Sequence, residues 1–329
     1  MVAINEIGLP KRLEDITRIA SSDLIIGDQV GEGGYSIVYS GDWNGTPVAL
    51  KILKTKDEED EKTKRKVIRL LMSESQMLKA LRHPNILQFL GFIAENNVFG
   101  IVTEFMERGS LYQNLKDIRN KLKEEFSHDI KKKILIDICR GMTYLHNRNP
   151  VVLHRDLKSL NVLLTSDLRA KLADMGLSRI FQPLDGNRNR VMSVVGTPHW
   201  TAPEVLNRED YDEKADVWSF GVIIWELITY SKPYEGKPKR DVIISVKRLQ
   251  QLEIPANCPE FYRKLMKKCW KEDSTKRPTF HQLRISIQKY KYDTDCNLSL
   301  SSNSSSCSLS LNPDNQDNSP PFSSVLSIN

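Results

Sequence analysis

The chain of 329 residues is longer than one hydrophobic core usually requires, and its 40% hydrophobic content can build a large core with a second lobe or appendages. Its 48 basic and 42 acidic residues leave a net charge of +6, too small and too scattered an excess to predict nucleic-acid binding. The five cysteines form no C-x-x-C pair and the longest apolar run is too short to cross a bilayer, so we expect a cytoplasmic protein without membrane insertion.

Two lobes of different class are predicted from the order of patterns along the chain. Strand-like runs separated by glycine fill the N-terminal region, whereas helical periodicity dominates from about Ile130 to Tyr290. From Lys291 the composition changes to serine, asparagine and proline, with too little apolar surface to offset the entropy of ordering. The tail of residues 291–329 is therefore expected to be disordered.

The first chemical signal is the segment V-G-E-G-G-Y-S-I-V, Val30 to Val38, between two strand-like runs. Gly31 and Gly33 would let a hairpin approach a phosphate chain closely, with backbone N–H groups facing the oxygens. A plain glycine-rich hairpin explains the segment equally well, so this loop alone does not decide between the two.

The next strand, P-V-A-L-K-I-L, alternates so that Ala49 and Lys51 share one face. The helical pattern that follows places Glu74 in the middle of an apolar stripe, where an unpaired carboxylate is costly. We predict that Lys51 pairs with Glu74, which would hold the lysine amine toward bound phosphates. The alternatives are a surface lysine and a glutamate that extends from the edge of the stripe into solvent.

The densest signal is H-R-D-L-K-S-L-N, His154 to Asn161, between an amphipathic helix and a predicted pair of strands. A short loop there can bring a carboxylate, a cation and an amide to one point. Asp156 would accept the proton of an attacking hydroxyl, Lys158 would steady a transferring phosphoryl group, and Asn161 would hold a magnesium ion. Asp174, which follows the strand pair, would return a second carboxylate to the same place.

Taken in order, these segments resemble the signature motifs of the eukaryotic protein kinases. The likeness extends to D-M-G from Asp174, A-P-E from Ala202, D-V-W-S-F-G from Asp216 and C-W-K-E-D-S-T-K-R-P from Cys269. The resemblance implies an α+β fold of two lobes, a small antiparallel β lobe with one regulatory helix and a larger, mainly helical lobe. It implies a kinase domain at 23–290 after an N-terminal lead at 1–22, with the small lobe at about 23–103, the hinge at about 104–109 and the large lobe at about 110–290.

The motifs also indicate a kind of kinase. Lys158 and Thr197 are typical of serine/threonine kinases, and by resemblance Thr197 would bridge Asp156 and Lys158. Trp200 and the C-W…R-P ending are shared with tyrosine kinases, a mixture that resembles the tyrosine-kinase-like group, which includes Raf and mixed-lineage kinases. We predict a serine/threonine protein kinase that uses ATP and Mg²⁺ in intracellular signalling. The alternatives are dual or tyrosine specificity and, in another class, a pseudokinase binding module or scaffold.

The resemblance assigns a role to each candidate site residue. The catalytic residues are Asp156, Lys158, Lys51 and Glu74, and the metal ligands are Asn161 and Asp174. The nucleotide-binding residues are Val30, Gly31, Glu32, Gly33, Gly34, Tyr35, Ser36, Ile37, Val38, Ala49, Lys51, Thr103, Glu104, Met106 and Leu163. Within this set the stretch I-V-T-E-F-M-E-R-G-S-L resembles an edge strand followed by the hinge, and by that resemblance Thr103 would guard a back pocket. The backbone of Glu104 and Met106 would bond the adenine edge, and Val38, Ala49 and Leu163 would enclose the purine.

Expectations about partners and regulation follow from the same resemblance. The partners are protein substrates with serine or threonine acceptors. Arg155 would bind a phosphate on the activation segment, residues 174–204, and Ser193 is the candidate for autophosphorylation, the alternative being an ordinary exposed serine. Glu204 and Arg277 would form a buried structural ion pair.

Two positions depart from the family pattern. Ser36 stands where the loop usually has its third glycine, which puts in doubt only how closely the loop tip approaches a phosphate. Met175 stands where the family usually has phenylalanine. Methionine has comparable reach but more torsional freedom, so we expect it to fill the slot while holding the active arrangement less firmly.

Overall fold

The computed structural model describes residues 18–33, 36–54, 75–95, 98–174 and 197–291, together with the backbone of residues 179–181. Five strands form an antiparallel sheet in the order β1-β2-β3-β5-β4. They are β1 (Leu24–Glu32), β2 (Ser36–Trp43), β3 (Thr46–Leu53), β4 (Phe89–Glu95) and β5 (Val98–Glu104). In β3 the predicted alternation is confirmed, since Val48 and Leu50 are fully buried whereas Ala49 and Lys51 are half-buried on the other face.

The prediction that β5 is an edge strand was wrong. This strand lies between β3 and β4, and the edge position belongs to β4. Gly100 explains how β5 fits there, because a Cβ atom at this position would lie 3.1 Å from the backbone oxygen of Lys51 on β3. β5 ends at Glu104 and the next helix begins at Leu111, and the hinge expected between them at about 104–109 stays a prediction.

The rest of the described chain is mainly helical. Its helices are α1 (Leu111–Arg119), α2 (His128–His146), α3 (Pro203–Asn207), α4 (Lys214–Thr229), α5 (Lys239–Lys247), α6 (Glu260–Cys269) and α7 (Phe280–Lys289). Two short antiparallel pairs join β6 (Val151–Leu153) to β9 (Arg179–Phe181) and β7 (Val162–Leu164) to β8 (Ala170–Leu172). Residues 75–80 are also helical, and they fall within the range of the helix predicted around Glu74.

Capping side chains explain where several helices begin. Ser110, Ser127 and Thr279 stand before α1, α2 and α7, and each accepts a hydrogen bond from a backbone N–H of the first turn. The side-chain oxygen of Gln282 accepts a hydrogen bond from the backbone N–H of Thr279, which completes a capping box. Such caps satisfy N–H groups that have no partner within the helix.

Helix α4 is the centre of the large core. Residues 216–227 are all buried, which agrees with the continuous apolar run in its sequence. Gly221 lets α6 approach closely, because a Cβ atom there would lie 2.8 Å from Cβ of Cys269. Three charged or hydroxyl side chains, Asp216, Ser219 and Glu226, are buried within this apolar surface and must find partners.

The predicted α+β architecture of a small antiparallel β lobe and a larger helical lobe is confirmed. No helix in the parts of the chain that the structure describes is long and apolar enough to cross a membrane.

Candidate active site

Asp156 lies in the loop between β6 and a single 3₁₀ turn, Ser159–Asn161, that leads into β7. Its carboxylate is nearly buried, and its neighbours fix its direction. Lys158 Nζ donates to Oδ2 at 2.5 Å, and the side-chain amide of Asn161 donates to the same oxygen at 3.1 Å and to the Asp156 carbonyl oxygen at 2.9 Å. The predicted convergence of a carboxylate, a cation and an amide is therefore present.

Thr197 completes the surroundings of this carboxylate from the other side. Its backbone N–H and its hydroxyl both donate to Oδ1 of Asp156, each at 3.1 Å. The same hydroxyl accepts a hydrogen bond from Lys158 Nζ at 2.9 Å. A single hydroxyl can donate once and accept once in this way, so Thr197 bridges Asp156 and Lys158 as predicted.

The backbone of the catalytic loop is anchored by Asp216, at the first turn of α4. This buried carboxylate accepts from the N–H groups of His154 and Arg155, both at 2.9 Å, and lies 2.9 Å from Nε2 of His146. Burial opposes its ionisation, but His146 and His154 outweigh that effect and hold the pKa of Asp216 below its usual value. Arg155 needs such an anchor because its φ of 68° lies in the left-handed region, which is strained for arginine.

Lys51 and Asp174 join the two lobes across the site. Lys51 Nζ on β3 lies 3.2 Å from Oδ1 of Asp174, which follows β8 and has a φ of 59°. Burial opposes ionisation of Asp174, but the charge and hydrogen bond of Lys51 more than offset it, so the pKa of Asp174 lies below its usual value. The lysine amine and this carboxylate therefore face one another across the site.

The predicted adenine site has an apolar floor and an open donor. Leu163 packs against the buried cluster of Leu87, Met106 and Ala173. Ala49 on β3 pairs with Thr103 on β5, which is buried and donates its hydroxyl to the Glu104 carbonyl oxygen at 3.2 Å. Within the described ranges the Met106 N–H has no hydrogen-bond acceptor, so this backbone group can donate to a ligand.

The side chain of Glu104 is held away from this role. Its carboxylate accepts from Lys171 Nζ at 2.7 and 2.6 Å, and from the backbone N–H of Gln88 at 2.7 Å. The backbone N–H of Glu104 is also engaged, since it donates to the Gln88 carbonyl oxygen at 3.1 Å. Ligand contacts of Glu104 are thereby limited to its carbonyl oxygen.

The glycine-rich loop is described on both of its arms but not at its tip. Gly31 pairs with Val38 across β1 and β2, and the N–H of Gly33 donates to the Ser36 carbonyl oxygen at 2.7 Å. The side chain of Glu32 is exposed, and its carboxylate pairs at 2.5 Å with Nζ of Lys54, the residue that follows β3. Val30, on β1, is 53% exposed, and its contact with a nucleotide stays a prediction.

Glu226 on α4 connects the catalytic loop with the segment that carries Thr197. Its buried carboxyl group accepts from the hydroxyl of Ser159 at 2.6 Å and from Nε1 of Trp200 at 2.8 Å. Burial raises the pKa of Glu226 to about 8, because the two hydrogen bonds only partly offset the loss of hydration. Through Asp216 and Glu226, helix α4 thus holds both the loop that carries Asp156 and the segment that carries Thr197.

Two further pairs support the large lobe. Glu204 accepts from Nη1 and Nη2 of Arg277 at 2.5 and 2.9 Å, and Arg277 is almost fully buried, so the predicted structural ion pair is confirmed. The side chain of Arg155 donates through Nε to the hydroxyl of Tyr211 at 3.0 Å. No pattern in the sequence singled out Tyr211.

Several predicted site residues lie outside the described residues. They are Gly34, Tyr35, Glu74, Met175 and Ser193. The Lys51–Glu74 pair, the packing of Met175 and phosphorylation at Ser193 therefore stay predictions. Sequence reasoning also missed the roles of Asp216, Ser159 and Glu226. The motif D-V-W-S-F-G pointed to the first of these, but no pattern indicated its partners.

The side-chain oxygens of Asn161 and Asp174 fit a magnesium ion that takes most of its ligands from phosphate and water. Mg²⁺ prefers oxygen ligands and commonly uses one or two protein groups together with phosphate oxygens and water. Asn161 uses its amide nitrogen for Asp156, which leaves its carbonyl oxygen as a ligand, and the Asp174 side chain is 44% exposed. In the portion of the chain described, no cluster of three or more histidine, cysteine or acidic residues could hold a metal by itself.

Comparison with known families identifies the family to which this site belongs. A family model described as protein tyrosine and serine/threonine kinase matches residues 24–287. This range contains every candidate site residue named above.

Named relatives agree with that match. The chain is 40% identical over 262 residues to probable serine/threonine-protein kinase drkD of Dictyostelium discoideum, covering 80% of this chain and 19% of that protein. It is 40% identical over 272 residues to probable serine/threonine-protein kinase drkA of the same organism, covering 82% and 40%. It is 38% identical over 259 residues to serine/threonine-protein kinase CTR1 of Arabidopsis thaliana, covering 78% and 30%. The chain thus spans less than half the length of each of these relatives.

Proposed function

Because the chain belongs to the protein kinase family, we propose that it transfers the γ-phosphoryl group of ATP to serine and threonine hydroxyls of proteins. The observation that carries this proposal is the arrangement of Asp156, Lys158 and Thr197. A carboxylate held by a lysine and a threonine hydroxyl stands where a proton can be accepted from an approaching alcohol. The names of the relatives support the choice of serine and threonine over tyrosine.

The acceptor side of the mechanism belongs to the catalytic loop. Asp156 orients the acceptor hydroxyl and accepts its proton, and Thr197 keeps the carboxylate in that direction. Lys158 stands beside the same carboxylate and stabilises negative charge on the transferring group. Since little covalent chemistry is asked of the protein, orientation and charge stabilisation supply most of the catalysis.

The nucleotide side is formed by both lobes. Met106 would donate its N–H to the adenine edge, Leu163 and Ala49 would enclose the ring, and Lys51 would bind the phosphates. Asn161 and Asp174 would hold Mg²⁺, which when bound neutralises charge on the phosphate oxygens. Lys51 is paired with Asp174, so the amine that would bind phosphate and the carboxylate that would hold magnesium lie side by side.

The test is transfer of labelled phosphate from ATP to pooled peptides that contain serine, threonine or tyrosine as the only acceptor. We expect magnesium-dependent labelling of the serine and threonine pools by the native protein, and a loss of at least about a hundredfold in Asp156→Asn. Asparagine keeps the size of the side chain, so unfolding in urea should change little. Equal labelling by the native protein and the variant would refute catalysis by this chain and favour a binding module.

Acceptor specificity is decided by the same experiment. Labelling of the tyrosine pool together with the other two would indicate dual specificity. Labelling of tyrosine alone would overturn the proposal of a serine/threonine kinase while leaving phosphoryl transfer intact.

A further inference from the structure

A group of exposed lysines adjoins the acceptor end of the site. Thr197 contacts Asp156 directly, and His199 follows two residues later in a turn closed by a hydrogen bond from Trp200 N–H to the Thr197 carbonyl oxygen at 2.9 Å. Two residues of chain span at most about 7 Å, so His199 lies within the reach of a residue next to the acceptor. A peptide whose hydroxyl reaches Asp156 can therefore contact the surface around His199 with a residue close to the acceptor.

We call Lys232, Lys237 and Lys239 the lysine rim. All three are exposed, and in the described parts of the chain none has a carboxylate within salt-bridge distance. Lys237 Nζ lies 5.8 Å from the ring centre of Tyr234, whose ring centre is 6.4 Å from that of His199. Lys239 is also the first residue of α5, where the N–H groups of the first turn add positive potential.

His199 indicates the sign of the field at this place. Its Nδ1 is buried and has no hydrogen-bond partner among the residues described. Burial lowers the pKa of His199, and repulsion from Lys232 and Lys239 lowers it further. The imidazole therefore stays neutral at physiological pH, and the positive potential comes from the lysines.

The acidic residues beside the rim do not cancel this charge. Glu235 is held by Arg119, which donates to its two carboxylate oxygens at 3.1 and 2.9 Å. Asp241 lies in the first turn of α5, where the helix N-terminus already favours a carboxylate. The rim thus keeps a net positive charge that an incoming chain would meet.

We propose that the preferred protein substrates carry aspartate or glutamate within about three residues of the acceptor serine or threonine, and that the lysine rim binds this acidic flank. The inference rests on the proposed function and adds a substrate class to it. Basic flanks would be disfavoured for the same reason, since like charges repel across a short distance.

The experiment uses synthetic peptides with one central serine in a neutral scaffold of glycine, alanine and asparagine. Glutamate, glutamine or lysine replaces one residue at each position from three before to three after the serine. We expect glutamate to raise kcat/KM over glutamine by about 5- to 10-fold at the favoured positions, the order expected for exposed charge pairs near a protein surface. The preference should shrink as ionic strength rises from about 0.05 to about 0.5 M.

Charge-reversal variants identify the residues responsible. In Lys232→Glu/Lys239→Glu the preference should vanish or pass to lysine, whereas Lys232→Arg/Lys239→Arg should keep it because the charge is kept. The matched control is Lys267→Glu/Lys268→Glu, which reverses two exposed charges on α6 and should keep the native preference. Thermal unfolding of each variant shows whether a lost preference comes from a damaged fold.

The outcomes separate this inference from the proposed function. Equal rates with glutamate and glutamine at every position, or a preference that survives reversal of the rim, would overturn the acidic substrate class while the kinase activity stands. Failure of the native protein to label any peptide would overturn the proposed function and this inference with it.

Discussion

Glu226 is a buried carboxyl group with two neutral donors and no cation beside it in the described residues. Ser159 and Trp200 each give it one hydrogen bond, and burial raises its pKa to about 8. In the unfolded chain an ordinary glutamate titrates near pH 4.3. Between these two values the folded protein binds one proton more than the unfolded chain, so its free energy of unfolding falls as pH rises.

We predict that Glu226→Gln removes this pH dependence. Glutamine is neutral at every pH, so the stability of the variant relative to the native protein should grow as pH rises from about 4.5 to about 8 and then level off. Urea unfolding at several pH values in this window measures the difference. Two curves that stay parallel from pH 5 to 8 would show that Glu226 is ionised in the folded protein.

Thr197 can be tested with two substitutions of different chemistry. Thr197→Val keeps the shape but loses the hydroxyl that bridges Asp156 and Lys158, which is worth ~1 to 1.5 kcal/mol as a hydrogen bond. We expect kcat to fall by about tenfold with little change in KM for ATP. Thr197→Ser should retain most of the activity. If valine and serine behave alike, the bridge has no part in positioning Asp156.

At the residue scale the sequence predicts chemistry better than partners. Asp156, Lys158 and Thr197 were predicted as a group because their spacing matches a known motif, and the structure brings them together. Glu226 escaped prediction because it sits in an apolar run, and a sequence shows that such a residue is buried but not what it contacts. Tyr211 was missed because Arg155, its partner, is 56 residues away along the chain.

At the scale of elements, the ion pair of Glu204 and Arg277 joins α3 to the segment that precedes α7. Arg277 is 1% exposed and also donates to the carbonyl oxygens of Lys271 and Lys214 at 2.8 and 3.1 Å. Removing the carboxylate would leave a buried guanidinium without its counter-charge.

We therefore predict that Glu204→Ala lowers the free energy of unfolding by about 3 to 5 kcal/mol. The matched control is Glu235→Ala, which breaks the exposed pair with Arg119 and should cost at most ~1 kcal/mol. Urea denaturation of both variants measures the two losses. Similar losses in the two would mean that Arg277 finds other partners when Glu204 is absent.

The elements themselves were largely predictable, and their arrangement less so. Alternation in β3 and the amphipathic helix before His154, which is α2, follow from the spacing of apolar residues, and both are confirmed. The position of β5 inside the sheet was missed because spacing along one strand carries no information about which strands lie beside it. Gly100 allows β3 to pack closely because it has no side chain, but the sequence shows this role only once β3 is known to be its neighbour.

At the scale of the whole molecule, the site is completed by both lobes. Lys51 comes from the sheet, Asp174 follows β8, and Met106 lies between them in the chain. A ligand that touches all three should stabilise the folded protein by an amount that grows with the logarithm of its concentration relative to its Kd.

We predict that a non-hydrolysable ATP analogue raises Tm only modestly when EDTA removes magnesium, and clearly more when magnesium is present. At about 100 times Kd the added stability would be ~2.7 kcal/mol. Asp174→Ala should lose the magnesium-dependent part of the shift. Asp156→Asn should keep it, because Asp156 is not proposed to hold the metal. A full magnesium-dependent shift in Asp174→Ala would remove Asp174 from the metal site.

Helix α4 carries Asp216 and Glu226 ten residues apart. The two side chains that hold the loop of Asp156 and the segment of Thr197 therefore lie about 15 Å apart along one buried helix. Its backbone amides should exchange with deuterium only when the entire domain opens, unlike those of an exposed helix, which fray one turn at a time. Heat could then not loosen these supports separately. As long as the domain is folded, the loop of Asp156 and the segment of Thr197 should then keep their places, so heat inactivation through these two parts would require unfolding of the whole domain.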